Sequence, residues 1–179
     1  MPPGRPGAPV TITLYDDLQC PVCRDLVRGA GFRWLVRGPV RSGEADLVFR
    51  SSCTATCNGP EPSVFAVQQA AAEAAGRQHR LWQYVLTFFS DQRAEGTRYV
   101  TQAFLLRVAE AVPGLRIPPW QRARQSKEAL ASVRTDEHMA ATHGYNSTPT
   151  LVLRGPHGVR TLVGVQDVRA LAKALAHIR

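Results

Sequence analysis

The stretch TITLYDDLQCPVCRDL, residues 11–26, changes its periodicity in the middle. Up to Tyr15 it alternates β-branched and apolar residues after Pro9, the pattern of a buried strand over Val10–Tyr15. From about Cys20 the pattern is helical, and Leu26, Val27, Ala30, Trp34 and Leu35 share one face at spacings of three and four. Gly38-Pro39 is expected to end that helix. Between strand and helix stand Asp16, Asp17 and the run Cys20-Pro21-Val22-Cys23. Cysteines three apart at a helix start lie within disulfide reach of each other. Cys20 falls near the N-cap, where unpaired backbone N–H groups and the macrodipole favour an anion. A thiolate in such a place has its pKa lowered from ~8.5 to about 3.5–7.5. Pro21 has the φ of a first helical turn and no N–H that needs a partner. A βα turn at the C-terminal end of a parallel strand is also where open α/β sheets place their sites. Cys20, at the exposed tip, reads as the attacking or attacked sulfur, and Cys23, one turn inward, as its partner. Asp16 and Asp17 read as solvated or helix-start charges, with proton acceptance by one of them as the alternative.

Outward from this stretch, Ala45–Arg50 is a second strand, and strand, helix, strand favours parallel pairing. Ser51–Pro62 is a loop rich in Ser, Thr, Gly and Pro that holds Cys53 and Cys57. Helices follow: an Ala-rich one over Ser63–Arg77, one over Leu81–Ser90, one over Thr97–Val112, and one or two over Trp120–His143. Pro113-Gly114 and Pro118-Pro119 are expected to break the chain between them. The aromatic stripes of these helices read as core. Thr150–Leu153 and Val159–Val163 form a hairpin about Gly155–Gly158. Gln166–Ile178 closes the chain as an amphipathic helix, with Val168, Leu171, Leu175 and Ile178 inward. The order β-α-β, helical block, β-β-α suggests one αβ domain interrupted by a helical insertion.

The 179 residues are 44% hydrophobic, enough for the core of one domain. No stretch approaches the ~18 apolar residues of a membrane-spanning helix. The net charge is +8, and Lys appears only at Lys127 and Lys173. The arginines are scattered singly rather than interleaved with aromatics, so no nucleic-acid partner is expected. Four cysteines are too few for a disulfide-dense scaffold. As C-x2-C…C-x3-C they also allow a zinc site of four thiolates. Cys53 and Cys57 are open to a second local disulfide, a relay pair or free thiols, and a bridge would argue for an oxidising compartment. His143 reads as a cap at the end of its helix. The opening MPPGRPGAPV lacks the apolar stretch of a signal peptide, which fits a cytoplasmic protein or a removed targeting segment.

The TITLYDDLQCPVCRDL stretch resembles the active-site region of the DsbA-like branch of the thioredoxin superfamily, and YNSTPTLVLRG, residues 145–155, resembles that family's cis-proline loop and following strand. The resemblance runs from about Val10 to Ile178. It implies an α/β, thioredoxin-like fold: a central mixed sheet flanked by helices, with a DsbA-type helical insertion between the second strand of the βαβ unit and the cis-Pro strand. It implies a single domain over residues 1–179, with thioredoxin parts at about 9–52 and 145–179 and the insertion at about 61–144. On this resemblance Cys20 is the nucleophile, Cys23 the resolving cysteine, and Pro21 and Val22 the dipeptide that tunes the redox potential. Pro149 carries the cis peptide bond, and Thr148 pairs through its backbone with an extended substrate peptide. Strongly oxidising members have a histidine where Val22 stands, so a less oxidising couple is expected. The implied function is thiol–disulfide exchange on proteins bearing thiols or disulfides, with a redox partner that recycles the pair. No organic cofactor or metal is expected, because the sulfurs carry the electrons. The alternatives are a glutathione-linked transferase or isomerase on the same scaffold and a zinc-stabilised binding module. The family favours an extracytoplasmic setting.

Overall fold

The computed structural model describes residues 7–179, so the first six residues of the MPPGRPGAPV stretch and of the expected 1–179 domain lie outside it. Alternation in Val10–Asp16 makes strand β1, with Val10, Ile12 and Leu14 buried. Ala45–Ser51 (β2) pairs with β1 in parallel, Ile12 opposite Leu47 and Leu14 opposite Phe49. Thr150–Gly155 (β3) pairs antiparallel with β1, and Gly158–Val163 (β4) antiparallel with β3. The order β2-β1-β3-β4 hydrogen-bonds β1 on both sides. Its C-terminal end is therefore a fixed platform for the turn that follows. Parallel pairing needs a crossover, which helices α1 (Pro21–Arg28) and α2 (Ala30–Leu35) supply.

Between β2 and β3 stand α3 (Val64–Gly76), α4 (Leu81–Ser90), α5 (Gln102–Glu110), α6 (Ile117–Arg124) and α7 (Lys127–Thr142). Their apolar faces join those of the sheet in one continuous core, in which Trp82 of α4 meets Phe32 at 5.6 Å and Phe49 at 5.9 Å between ring centroids. Each such fully buried side chain is worth about 1.5–3 kcal/mol. The last helix, α8 (Val168–Ile178), packs on α2, β3 and β4. Where α2 meets the start of α8, a Cβ on Gly31 would lie 2.1 Å from the Gln166 carbonyl oxygen, so this approach admits only glycine. No helix among the described residues is long and apolar enough to cross a membrane.

Several local expectations need correction. The helix expected after Cys20 is two helices, because Gly29 is extended (φ −70°, ψ 164°). The break resets the helical phase and leaves Ala30 exposed instead of on the shared face. Gly38-Pro39 does not stop the chain. A π-helical turn, Val36–Val40, runs through Pro39, with Arg41 N–H donating to the Val36 carbonyl; the wider turn tolerates a residue with no N–H of its own. Helix α5 starts at Gln102 rather than Thr97, because the Thr101 hydroxyl accepts from Phe104 N–H at 3.1 Å and caps it. Pro118 and Pro119 sit in the first turn of α6, where a missing N–H leaves no bond unmade. Asp167 caps α8, so the helix starts two residues later than expected and Val168 is 37% exposed rather than inward.

Candidate active site

From the end of β1 the chain turns through Asp17–Gln19 into α1, and Cys20 N–H donates to the Asp17 carbonyl at 2.9 Å to close the turn. Cys20 is the N-cap of α1, extended at φ −73°, ψ 119°, with Pro21 at the first helical position. The helix then presents the backbone N–H groups of Val22 and Cys23 to the Cys20 sulfur. The Thr148-Pro149 peptide bond is cis, and the Thr148 carbonyl oxygen lies 3.5 Å from Cys20 Sγ. Residues 128 positions apart in sequence thus share one site. Both thiols are free. Cys20, expected at an exposed tip, is only 6% exposed; Val22 takes the outer position at 41%. The carbonyl of the cis-proline loop covers the sulfur.

Hydrogen bonding by the Cys23 thiol is the largest influence on Cys20, and with the Thr148 side chain and the helix N–H groups it outweighs burial to lower the Cys20 pKa to about 6. Cys23 is fully buried, and burial, the bond to Cys20 and the charge of Asp16 push its thiol well up. The two sulfurs are therefore poised oppositely, one as thiolate and one as thiol.

Asp16 and Asp17, expected in solvent, are both fully buried. Asp16 is the last residue of β1, in register with Ser51, which places its side chain inside. Neither of its carboxyl oxygens has a hydrogen-bond partner among the described residues. Burial, then the charges of Asp17 and Cys20, push its pKa well up. Asp17 is a hub. Its Oδ1 accepts from Gln19 N–H (3.0 Å), the Thr56 hydroxyl (2.6 Å) and Gln68 Nε2 (3.2 Å), and its Oδ2 accepts from the N–H groups of Thr54 (3.0 Å) and Thr56 (2.8 Å).

Those bonds fasten the loop after β2 to the turn before α1. In that loop Cys53 and Cys57 form a disulfide, S–S 1.95 Å. Their sulfurs are committed to each other, so the four cysteines do not form a zinc site, and Glu137, which lies beside them, has no thiolate to join. The Thr54 hydroxyl is hydrogen-bonded to the Thr148 hydroxyl. On the other side Gln92 Nε2 donates to the carbonyls of Leu18 (2.9 Å) and Cys20 (3.1 Å). His143 is the C-cap of α7, as expected: its Nδ1 pairs with the Met139 carbonyl at 2.8 Å, and its ring stacks on Tyr145. Sequence reasoning missed Thr54, Gln68 and Gln92. They are single polar residues in a loop and a helix, 49 to 94 positions from their partners, and no spacing marks them. The hub role of Asp17 had a signal in a second acid directly after a buried strand.

A βαβ and ββα frame, with a Cys-x-x-Cys at the first helix start and a cis proline against it, defines a thioredoxin-fold protein. The family model described as Thioredoxin matches residues 1–171, and the chain belongs to that family. Solved structures with the same fold include BdbD from Bacillus subtilis, oxidised (15% identity, 97% of this chain and 89% of that one, TM-score 0.80). DsbA2 from Pseudomonas aeruginosa is similar over 96% of this chain and 90% of that one (24% identity, TM-score 0.72). The thiol-disulfide exchange protein alpha-DsbA2 from Wolbachia pipientis is similar over 99% of this chain and 86% of that one (16% identity, TM-score 0.75). A search of curated proteins found no match.

Proposed function

We propose that this chain catalyses thiol–disulfide exchange on proteins, with Cys20 as the nucleophile and Cys23 as the resolving sulfur. The carrying observation is the Cys20 sulfur itself, which caps a helix, is hydrogen-bonded by the Cys23 thiol and lies 3.5 Å from the carbonyl before a cis proline. In the oxidising direction a substrate thiolate attacks Cys20 of the Cys20–Cys23 disulfide. A bond forms to the substrate sulfur, the Cys20–Cys23 bond breaks, and its electron pair goes to Cys23, which takes up a proton. A second substrate thiolate then attacks the substrate sulfur of the mixed disulfide, and Cys20 leaves as thiolate. A leaving sulfur with a pKa of about 6 departs readily at neutral pH. In the reducing direction the Cys20 thiolate attacks one sulfur of a substrate disulfide, that bond breaks and the other substrate sulfur leaves as thiolate; Cys23 then gives up its proton and attacks Cys20, forming the Cys20–Cys23 disulfide and releasing the second substrate thiolate. Asp16, buried without a hydrogen-bond partner among the described residues and raising the Cys23 thiol through its charge, is the group that exchanges this proton.

Pro21 and Val22 tune the couple, and Thr148 and Pro149 bind substrate, an extended peptide pairing along the Thr148 backbone. Substrates are proteins with thiols or disulfides, and a separate redox partner recycles the pair. The domain reading, thioredoxin parts at about 9–52 and 145–179 around an insertion at about 61–144, is supported by the helices between β2 and β3. The Cys53–Cys57 bridge and the family of neighbours support an oxidising, extracytoplasmic compartment. The glutathione-linked alternative does not need Cys23, and here Cys23 is the largest influence on Cys20. The test is turnover of a reduced, unfolded disulfide protein and of a disulfide-bonded one by the parent and by Cys20→Ser. Activity in the parent and none in the variant is expected; equal activity in both rejects Cys20 as the nucleophile.

A further inference from the structure

The Cys53–Cys57 bridge joins cysteines four positions apart, and the ring it closes contains Thr54, Ala55 and Thr56. Both threonines are tied to Asp17: Thr54 through its N–H, Thr56 through its N–H and its hydroxyl. The ring is also held from behind, with Asn58 N–H donating to the Thr54 carbonyl at 3.0 Å and Gly59 N–H to the Thr56 carbonyl at 3.1 Å. From this restrained loop the Thr54 side chain reaches the Thr148 hydroxyl. Thr148 in turn accepts from the Cys20 thiol through its carbonyl at 3.5 Å, and its side chain beside the sulfur favours the thiolate.

A hydroxyl has one proton to donate and lone pairs to accept with. When Thr54 donates to Thr148 Oγ1, the proton of Thr148 is free for the sulfur. Resting on the thiol-exchange reading above, we propose that Thr54, held in the Cys53–Cys57 ring, is a positioning residue that holds Thr148 against the Cys20 sulfur. The second disulfide then serves the first site without exchanging electrons with it. It restrains the loop that sets the reactivity of Cys20.

The test is the pH profile of Cys20 alkylation by iodoacetamide, with Thr54→Val, Thr54→Ser and the double variant Cys53→Ser/Cys57→Ser compared with the parent. Thr54→Val keeps the volume and loses the hydroxyl. Its midpoint is expected to move up, so that alkylation below pH 6 slows about two- to tenfold, the worth of one neutral hydrogen bond. Thr54→Ser restores the hydroxyl and is expected to follow the parent. The double cysteine variant is expected to shift in the direction of Thr54→Val. Thermal unfolding and circular dichroism of each variant show that it is folded before it is scored. An unshifted profile in Thr54→Val overturns the proposal, as does a shift that serine does not reverse. An unshifted profile in the folded double variant removes the ring from it. Alkylation does not need turnover, so a parent that fails to exchange disulfides counts against the proposed function and leaves this result standing.

Discussion

Replacing Cys23 by Ala removes the largest influence on the Cys20 sulfur, the neighbouring thiol that hydrogen-bonds to it. With its pKa at about 6 rather than 9.0, Cys20 is about nine-tenths thiolate at pH 7, where an ordinary thiol is about one part in a hundred. The folded pKa lies below that of the unfolded chain. The stabilisation of the reduced protein is therefore complete above the unfolded value, and it is lost as pH falls through about 6. At pH 7 it is at most about 1.4 kcal/mol, part of it screened by water at the helix start. For a two-electron couple that is about 30 mV towards the oxidising side. In Cys23→Ala the midpoint of Cys20 alkylation is expected to move up from about 6 towards 9.0. The ultraviolet absorbance of the thiolate should follow the same curve. A midpoint that stays near 6 in the variant, or that already lies near 9.0 in the parent, refutes the reasoning.

Asp17→Ala strips the buried partners from the N–H groups of Thr54 and Thr56 and from Gln68. It should cost about 3 kcal/mol in urea unfolding, and a loss below about 1 kcal/mol would show that the hub is dispensable. Glu73 is raised from 4.5 to about 7, chiefly by burial and then by the charge of Asp136. The folded chain holds this proton more tightly than the unfolded one, so stability falls as pH rises from 4.5 through about 7. Glu73→Gln should flatten that part of the thermal-midpoint profile, and an unchanged slope contradicts it. Val22 is 41% exposed, so Val22→His should fold normally, lower the Cys20 pKa by placing a cation beside the thiolate, and raise the potential measured in glutathione buffers; an unchanged potential counts against it. Phe88 is fully buried between Phe104 at 5.1 Å and Tyr99 at 6.5 Å. Phe88→Ala should destabilise by about 3–5 kcal/mol, as read from the denaturant midpoint.

Local pattern was enough for whatever depends on neighbours in sequence. Alternation marked β1 and three-four spacing the helix that begins at Cys20, because burial on one face imposes those periods on the chain itself, while alanine-rich propensity marked α3 and an aromatic stripe α4. The Cys20-Pro21-Val22-Cys23 run was legible for the same reason: a helix start, a proline fit for it and two sulfurs one turn apart are all local properties. Pattern was weaker at boundaries set by a single bond. The extended Gly29, the Thr101 cap and the π turn through Pro39 depend on one dihedral or one acceptor that composition does not reveal.

Read alone, the chain determined that two sulfurs one turn apart begin a helix after a buried strand, and its resemblance to a family placed a proline loop opposite them. Only the tertiary structure decided what surrounds those sulfurs. Central β1 carries Asp16 and Asp17 into the interior, and Asp17 gathers partners from the loop after β2 and from α3. The cis Thr148-Pro149 bond brings Thr148 to Cys20 from 128 positions away. A polar side chain gains a definite role when burial leaves it few partners. Which partners those are is fixed by how the strands and helices pack together, and a single residue in sequence carries no mark of it.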